Sequence, residues 1–354
     1  MDFYIVDSSS FDVVAVIDRY SSMIWTKRYF TYGDFELVIP ADPSILPLIQ
    51  QDFFITRDDD PSVMIIEKIT VKTDAEEGDS FIITGRSLES ILLRRIFYPQ
   101  FLIQSVGTLT GAVQSFVTYC TTATNLRPGE ANYRAIPGLY VDFTFAPSKD
   151  VTAQFTGDTL LDGIRSICEP EGVGIKMKIE AGGAIQLALY QGAEVDVIFA
   201  PDFDNLLSSD YVSDKSNYYN MFYVAGEGQG SARRWVKSIR GTFANRPAGL
   251  ALRELYVDAR DISSNDGAVS APDYDEMLSA RAQKAKAEYG LTESFEAEVE
   301  TRVSYVYKRD YDLGDVVTVS NAYGITAHPR IVEITECWDE SGYIALPTFD
   351  VLEV

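Results

Sequence analysis

The chain holds one histidine, His328, in "ITAHPRIVEI" beside a proline in a predicted strand. A Ser-His-Asp or Cys-His arrangement needs an imidazole placed as general base, and His328 in that setting reads as a strand-surface or packed side chain. The three cysteines, Cys120, Cys168 and Cys337, are far apart and form no C-x-x-C. With one histidine they cannot supply the usual zinc spacing. Carboxylates are the one catalytic type in supply: 53 acidic residues would allow the acid and base pair of a glycan hydrolase. Their abundance makes any particular pair uninformative. "TRDDDP", with Asp58, Asp59 and Asp60, reads as a solvated acidic loop. "DISSNDGAVSAP" begins like a calcium loop at Asp261 but has Asp266 where the turn needs Gly and Pro272 at the distal bidentate position. "GEGQG" (residues 226–230) resembles a phosphate-cradling loop, yet "ARRWVKSI" after it alternates as a strand where a helix is required. Trp25, Lys27, Arg28 and Tyr29 form an aromatic and basic run that could stack bases or sugars, and Trp25, Trp235 and Trp338 are candidate carbohydrate platforms. No catalytic residue, cofactor or metal site is expected.

Charge narrows the partners. The 53 acids against 30 bases give a net charge of −23 over 354 residues. Such a surface repels phosphate backbones, and the adjacent basic pairs (Lys27-Arg28, Arg94-Arg95, Arg233-Arg234, Lys308-Arg309) make no stripe. Sequence-specific nucleic-acid binding is not expected. "MDFYIVDSSS" lacks a basic n-region, and "VVAVI" is far shorter than the ~20 residues of a membrane span. The expectation is a chain made and folded in a reducing cytoplasm without a membrane anchor.

The elements that must position these residues are mostly strands. Forty Tyr and Phe residues suit pleated surfaces. The first hundred residues alternate in short runs such as "FDVVAVID", "DFELVIP" and "DSFIITG", at the spacing of a barrel or sandwich. In "DFELVIP", Phe35, Leu37 and Ile39 should share the buried face. "GRSLESILLRRIF" predicts a helix capped by Ser87. Leu109, Val113, Phe116, Val117 and Cys120 form one helical stripe, and "GDTLLDGIRSICEPEG" predicts a second helix. It runs into a hairpin turning at Gly182-Gly183. "APDYDEMLSARAQKAKAEYG" predicts a third helix, with Pro272 near its start and Gly290 past its end. The tail returns to strands.

"KRYFTYGDFELV" (residues 27–38) and "KRDYDLGDVVTV" (308–319) share Lys-Arg, an aromatic, Gly-Asp and a final Val without a gap. Turn chemistry alone recruits Gly-Asp. A duplicated β-domain would explain the match as well, and it requires Gly33 and Gly314 to occupy equivalent turns.

The stretch "IDRYSSMIWTKRYFTYGDFELVIPA" resembles the N-terminal signature of the siphophage tail-hub family, which is similar to the baseplate hubs of contractile-tailed phages and to the N-terminal part of tail-associated lysins. "ITGRSLESILLRRI", "LLDGIRSICEPEGVGIKMKI", "YDLGDVVTV" and "RIVEITECWDESGYIALPTF" extend the resemblance over nearly the whole chain. It implies a virion structural protein of the tail tip: a homotrimer whose subunits each give two tube-like β-domains to a ring of pseudo-sixfold symmetry. That ring would cap the tail tube and conduct DNA through its lumen. Implied partners are the distal tail protein ring, the tape measure protein and receptor-binding or tail-tip proteins, and wall cutting would fall to another polypeptide. The expected class is α+β, β-dominated, with two tube-like antiparallel β-barrel or sandwich domains and an inserted peripheral α+β unit. The expected division is 1–104 for the first tube-like domain, 105–200 with 246–290 for the peripheral unit, and 201–245 with 291–354 for the second. Structural or interface residues are expected at Trp25, Lys27, Arg28, Tyr29, Gly33, Asp34, Lys308, Arg309, Gly314 and Asp315. Rival readings are a carboxylate-dependent glycan hydrolase and a carbohydrate-binding adhesin.

Overall fold

Alternation in the first ninety residues builds seven strands: β1 (Phe3–Val6), β2 (Val13–Ile17), β3 (Ser22–Arg28), β4 (Asp34–Pro40), β5 (Phe54–Arg57), β6 (Val63–Lys72) and β7 (Ser80–Ser87). The computed structural model describes residues 1–75, 78–104, 107–123, 130–265, 267–299 and 305–351. Phe35, Leu37 and Ile39 are buried on β4, as the period of two requires. The order β3-β4-β7-β6-β5-β1-β2 rolls around one core in which Trp25 meets Phe3 and Phe35 at ring distances of 6.1 and 5.7 Å. Bulges at Ile5/Val6 in β1 and Ile66/Lys68 in β6 help that curl.

A second core gathers the α+β segment: β8 (Phe101–Gln104), α1 (Leu109–Thr121), β9 (Leu139–Asp142), β10 (Thr152–Phe155), α2 (Leu160–Cys168), β11 (Gly174–Ile179) and β12 (Ile185–Tyr190). The expected stripe of α1 is buried throughout. Thr108 and Thr159 cap α1 and α2 by accepting from the N–H groups of Gly111 and Asp162. Gly182 and Gly183 turn the β11–β12 hairpin at φ of +92° and +83°. The helix expected after Ser87 is instead a 3-10 helix, Leu88–Arg94, and Ser87 does not cap it. Its hydroxyl accepts from the Gly33 N–H at 2.8 Å and donates to Glu89, whose other oxygen receives the Met177 N–H. Tertiary partners thus claim the groups a helix start would have used.

The rest of the chain makes two further assemblies. The strands β13 (Glu194–Phe199) and β14 (Leu206–Asp214) precede a separate three-stranded sheet, in which β15 (Met221–Ala225) lies between β16 (Trp235–Ile239) and β17 (Glu254–Asp258). One face of that sheet is covered by α3 (Ala271–Glu288), which begins at the cap Ser270 with Pro272 in its first turn. Residues 221–239 were expected in the second tube-like domain; their pairing is with β17, because Phe222, Val224, Val236 and Val257 need the cover that α3 supplies. The strands β18 (Thr292–Val299), β19 (Val316–Ser320), β20 (Thr326–Ala327), β21 (Pro329–Asp339) and β22 (Gly342–Val351) then join β13 and β14 around a core of their own.

The protein is therefore β-dominated α+β. Its first and last β regions are not separate sheets: β21 pairs antiparallel with β3 from Glu333↔Arg28 to Trp338↔Met23, fusing both into one 14-stranded sheet. The expected barrels do not close. Among the described residues the hydrogen-bonded path runs open from β14 to β2. Two rolled lobes share a seam, because β3 and β21 satisfy each other's edges and leave neither lobe to close on itself.

Candidate functional site

The seam concentrates charge that the sequence places far apart. On β3, Met23, Trp25 and Lys27 share the inner face of the first lobe, and Glu336 of β21 lies opposite Trp25. Two ammonium groups converge on one carboxylate oxygen: Lys27 Nζ and Lys308 Nζ each lie 2.6 Å from Asp60 Oδ2. The other oxygen of Asp60 accepts from the Ser62 N–H at 2.9 Å and from the Ser62 hydroxyl, which in turn accepts from the Trp25 indole at 2.9 Å. Glu336 accepts from Arg57 Nη1 at 2.6 Å and from the Tyr343 hydroxyl at 2.8 Å. Arg57 is fully buried, stacks over Trp25 and closes a two-pronged pair with Asp59. The Tyr307 ring lies 5.0 and 5.5 Å from the two lysine nitrogens.

Three cations thus face three carboxylates, with Arg57, Asp60 and Glu336 buried at the centre and Asp59 and Lys308 reaching the surface. Burial opposes ionisation of Asp60, but the Lys27 charge and the bonds from Lys27, Lys308 and Ser62 outweigh it and hold this carboxyl well below the usual range. Burial likewise opposes charge on Arg57, and Asp59 and Glu336 overcome it, so the guanidinium is held cationic more firmly than usual. Burial pushes the Tyr307 and Tyr343 phenols up and keeps them neutral. Asp60, bound this way, is fixed as a structural anion. A general acid needs a carboxyl poised to hold and release a proton near neutrality, which Asp60 is not.

Tyr29 ties this seam to the α+β segment. It is fully buried, with its N–H on Val332 O at 2.9 Å and its carbonyl receiving the Ile175 N–H at 3.0 Å. Its hydroxyl shares a proton between Gly172 O and Tyr190 O, at 3.0 and 3.2 Å, and accepts from the Gly192 N–H at 3.2 Å. The ring fills the space a Cβ would need at both Gly174 and Gly314. Gly314 has φ of +97°, bonds Ile331 O through its N–H, and receives Arg330 on its carbonyl. Asp315 accepts from the Ala193 N–H at 2.8 Å.

The sequence-predicted residues separate accordingly. Trp25, Lys27 and Lys308 meet in the charge cluster; Tyr29, Gly314 and Asp315 meet at the junction beside it. Arg28 bridges Asp34 and Glu333 on the opposite face of β3, at 2.5 Å to each. Gly33 holds the β3–β4 return, and Arg309 sits apart on the surface with Asp310. The Lys-Arg…Gly-Asp match is not a repeated turn. Gly33 is needed because a Cβ would lie 1.9 Å from Thr26 O, whereas Gly314 is needed for its positive φ and for Tyr29. Asp34 pairs with a side chain, Asp315 with backbone. The same residue types were recruited for two different reasons.

Asp60 corrects the reading of "TRDDDP" as a solvated loop: Asp58 is exposed, Asp59 half-exposed and Asp60 buried. Arg57, Glu336, Tyr307 and Tyr343 carried no signal beyond alternation, which the bulge at Ile331/Glu333 interrupts. Asp261 pairs with Arg281, while Asp266 lies outside the described residues. Of the candidate platforms, Trp25 is buried and Trp338 packs on Tyr20, leaving Trp235 exposed. His328 meets Thr318 at 3.2 Å. Among the described residues no cluster of His, Cys, Asp or Glu could hold a metal ion, and no helix is long and apolar enough to cross a membrane.

A profile of the Siphovirus ReqiPepy6 Gp37-like proteins matches residues 2–349. The chain belongs to that family. No curated protein sequence matches it. The fold of this family member extends to solved tail proteins of low identity. A prophage MuSo2 43 kDa tail protein from Shewanella oneidensis is 13% identical with a TM-score of 0.60, covering 99% of this chain and 98% of that one. A tail protein from Neisseria meningitidis MC58 is 14% identical with a TM-score of 0.57, over 99% and 95% of the two chains. Prophage tail protein gp18 from Listeria monocytogenes EGD-e is 11% identical with a TM-score of 0.56, over 99% and 94%.

The buried thiols give a direct test of this packing. Burial pushes Cys120 up to about 12 and raises Cys168 further, while Cys337 is half-buried. Iodoacetamide at pH 8 is expected to modify at most one thiol per native chain and all three in urea, read by intact mass. Rapid native modification of Cys120 or Cys168 contradicts the packing of α1 and α2.

Proposed function

We propose that the chain is the hub subunit of a long-tailed phage tail tip: a homotrimer presenting six β-lobes around a pseudo-sixfold lumen, capping the tail tube and conducting DNA. One observation carries this reading, namely two rolled lobes with separate cores held edge to edge in one continuous sheet. The first lobe comprises β1–β7, and the second β13, β14 and β18–β22; the α+β units are peripheral. A ring element that transmits force between neighbours needs its lobes fixed relative to each other. The Asp60 cluster and Tyr29 provide that rigidity. The distal tail ring, the tape measure protein and receptor-binding or tail-tip proteins are its partners in this reading, with no sequence-specific nucleic acid. The net charge of −23 suits a lumen lined by carboxylates, along which DNA slides without adhering.

Light scattering of the purified chain is expected to give three times 39.4 kDa, and negative-stain averages a threefold ring with a central hole. A monomer at all concentrations, or a ring with a basic bore, defeats the reading.

A further inference from the structure

Between Glu227 and Glu254 the chain carries six cations, Arg233, Arg234, Lys237, Arg240, Arg246 and Arg253, and no carboxylate. This stretch of 26 residues runs against a chain of net charge −23. It holds β16 and the crossover to β17. Arg234 and Arg240 turn to α3, onto Asp275 and the Lys286 carbonyl, and Arg233 pairs with Asp258, which shares the outward side with Glu254; Lys237 on β16 and Arg246 in the crossover remain exposed. Phe222, Val224, Val236 and Val257 take the α3 side of the sheet. The opposite side presents Trp235 and Tyr256, 45% and 52% exposed and in edge contact at 5.9 Å, with Arg233 over both rings. Lys237 lies over Tyr223, and Arg246 donates to the Phe243 carbonyl; neither meets a carboxylate among the described residues. The crossover projects Leu250 and Phe243 into solvent.

A complementary surface exists at the far end of the same sheet path. There β2 is the terminal strand, and Val13 and Val16 are half-exposed on it. Acids flank it: exposed Asp12 before and exposed Asp18 after, the latter followed by exposed Arg19, with half-buried Asp2 and exposed Asp58 beside Tyr20 at the Asp18 end. Copies of a chain at −23 repel one another, so association needs a local region where the sign is reversed. Aromatics and cations on one patch, valines and acids on the other, supply it. The two patches differ, so their contact is head to tail, the type from which closed rings are built; a twofold dimer would need one self-complementary patch.

We propose that the β15–β17 face docks on the acid-flanked β2 edge of a second copy of this chain, so that the peripheral unit of one subunit clasps the first lobe of the next. The proposal rests on the trimer reading and assigns its interface. The test uses the full chain. Lys237→Glu with Arg246→Glu, and separately Asp12→Lys with Asp18→Lys, should each weaken trimer formation by ~100-fold or more in sedimentation equilibrium, since like charges across an interface cost several kcal/mol. All four changes in one chain should restore association to within ~10-fold of wild type, because each contact then pairs reversed charges. Circular dichroism of each variant should match wild type, and so should its urea midpoint at a dilution where every chain is monomeric, as these side chains are exposed. Wild-type association in both pairs, or no recovery in the fourfold variant, overturns the contact while leaving the trimer standing. A wild-type chain that is monomeric at ~100 μM removes the trimer and this contact together.

Discussion

Asp60→Ala is expected to lower the unfolding free energy by about 3–5 kcal/mol, the range for removing one partner of a buried ion pair. The loss follows from what remains. Lys27 and Lys308 keep their positions, but the carboxylate that drew both to 2.6 Å is gone. Glu336, at 3.9 and 3.7 Å from them, and the half-exposed Asp59 remain, but both are already bound to Arg57. Replacing Lys308 by Met in the same chain should recover a large part of the loss, because one fewer charge is then stranded. Urea unfolding of the single and double variants measures both effects; additive losses would show that the cluster is not coupled. The pH dependence has a fixed sign. Asp60 is held below its ordinary value in the folded state, so the unfolded chain takes up the proton first. Its contribution is complete at neutral pH, begins to fall as pH drops below about 4, and is lost on passing the depressed folded value. Asp60→Asn should therefore flatten the acid limb of the stability curve.

Gly314→Ala should be nearly as costly, by about 3–4 kcal/mol, since it adds backbone strain to a collision. The new Cβ would lie 2.2 Å from Tyr29 Cε2 at a φ of +97°. Relief would move Tyr29 away from Gly172, Tyr190 and Gly192, cutting the tie to the α+β segment. Gly324→Ala is the control: its φ is +77° with nothing within 4 Å of the added Cβ, so it carries strain alone, about 1–2 kcal/mol. In a Tyr29→Ala background the two glycine substitutions should cost about the same. Equal costs in the wild-type background would refute the role given to Tyr29 here.

These two variants act at the same junction but on different physics. Asp60 concerns buried charge, where the retained groups are penalised. Gly314 concerns volume in a close-packed core, where Tyr29 has nowhere to go. Together they join the two β lobes and the α+β segment at one junction.

Much was legible locally. Period-two alternation marked β4, the buried stripe marked α1, Gly182-Gly183 marked the β11–β12 hairpin, and Pro272 and Gly290 bracketed α3. Each of these is decided within a few residues by propensity, capping and φ preference, so the sequence by itself determined them, along with the net charge and the scarcity of histidine. The helix after Ser87 was misread because Gly33 and Glu89 took its hydroxyl. The cationic run at 228–253 was present in the composition, yet its meaning depended on which sheet face it occupies.

The seam was decided by tertiary structure alone. Lys27 reaches Asp60 across 33 positions, and Arg57 reaches Glu336 across 279. No local rule links them, because their meeting depends on the register of β21 against β3, and a slip of one residue would turn Glu336 to the other face. Asp60 looks identical to Asp58 in the sequence; only the fold removes its water and supplies two ammonium groups in return.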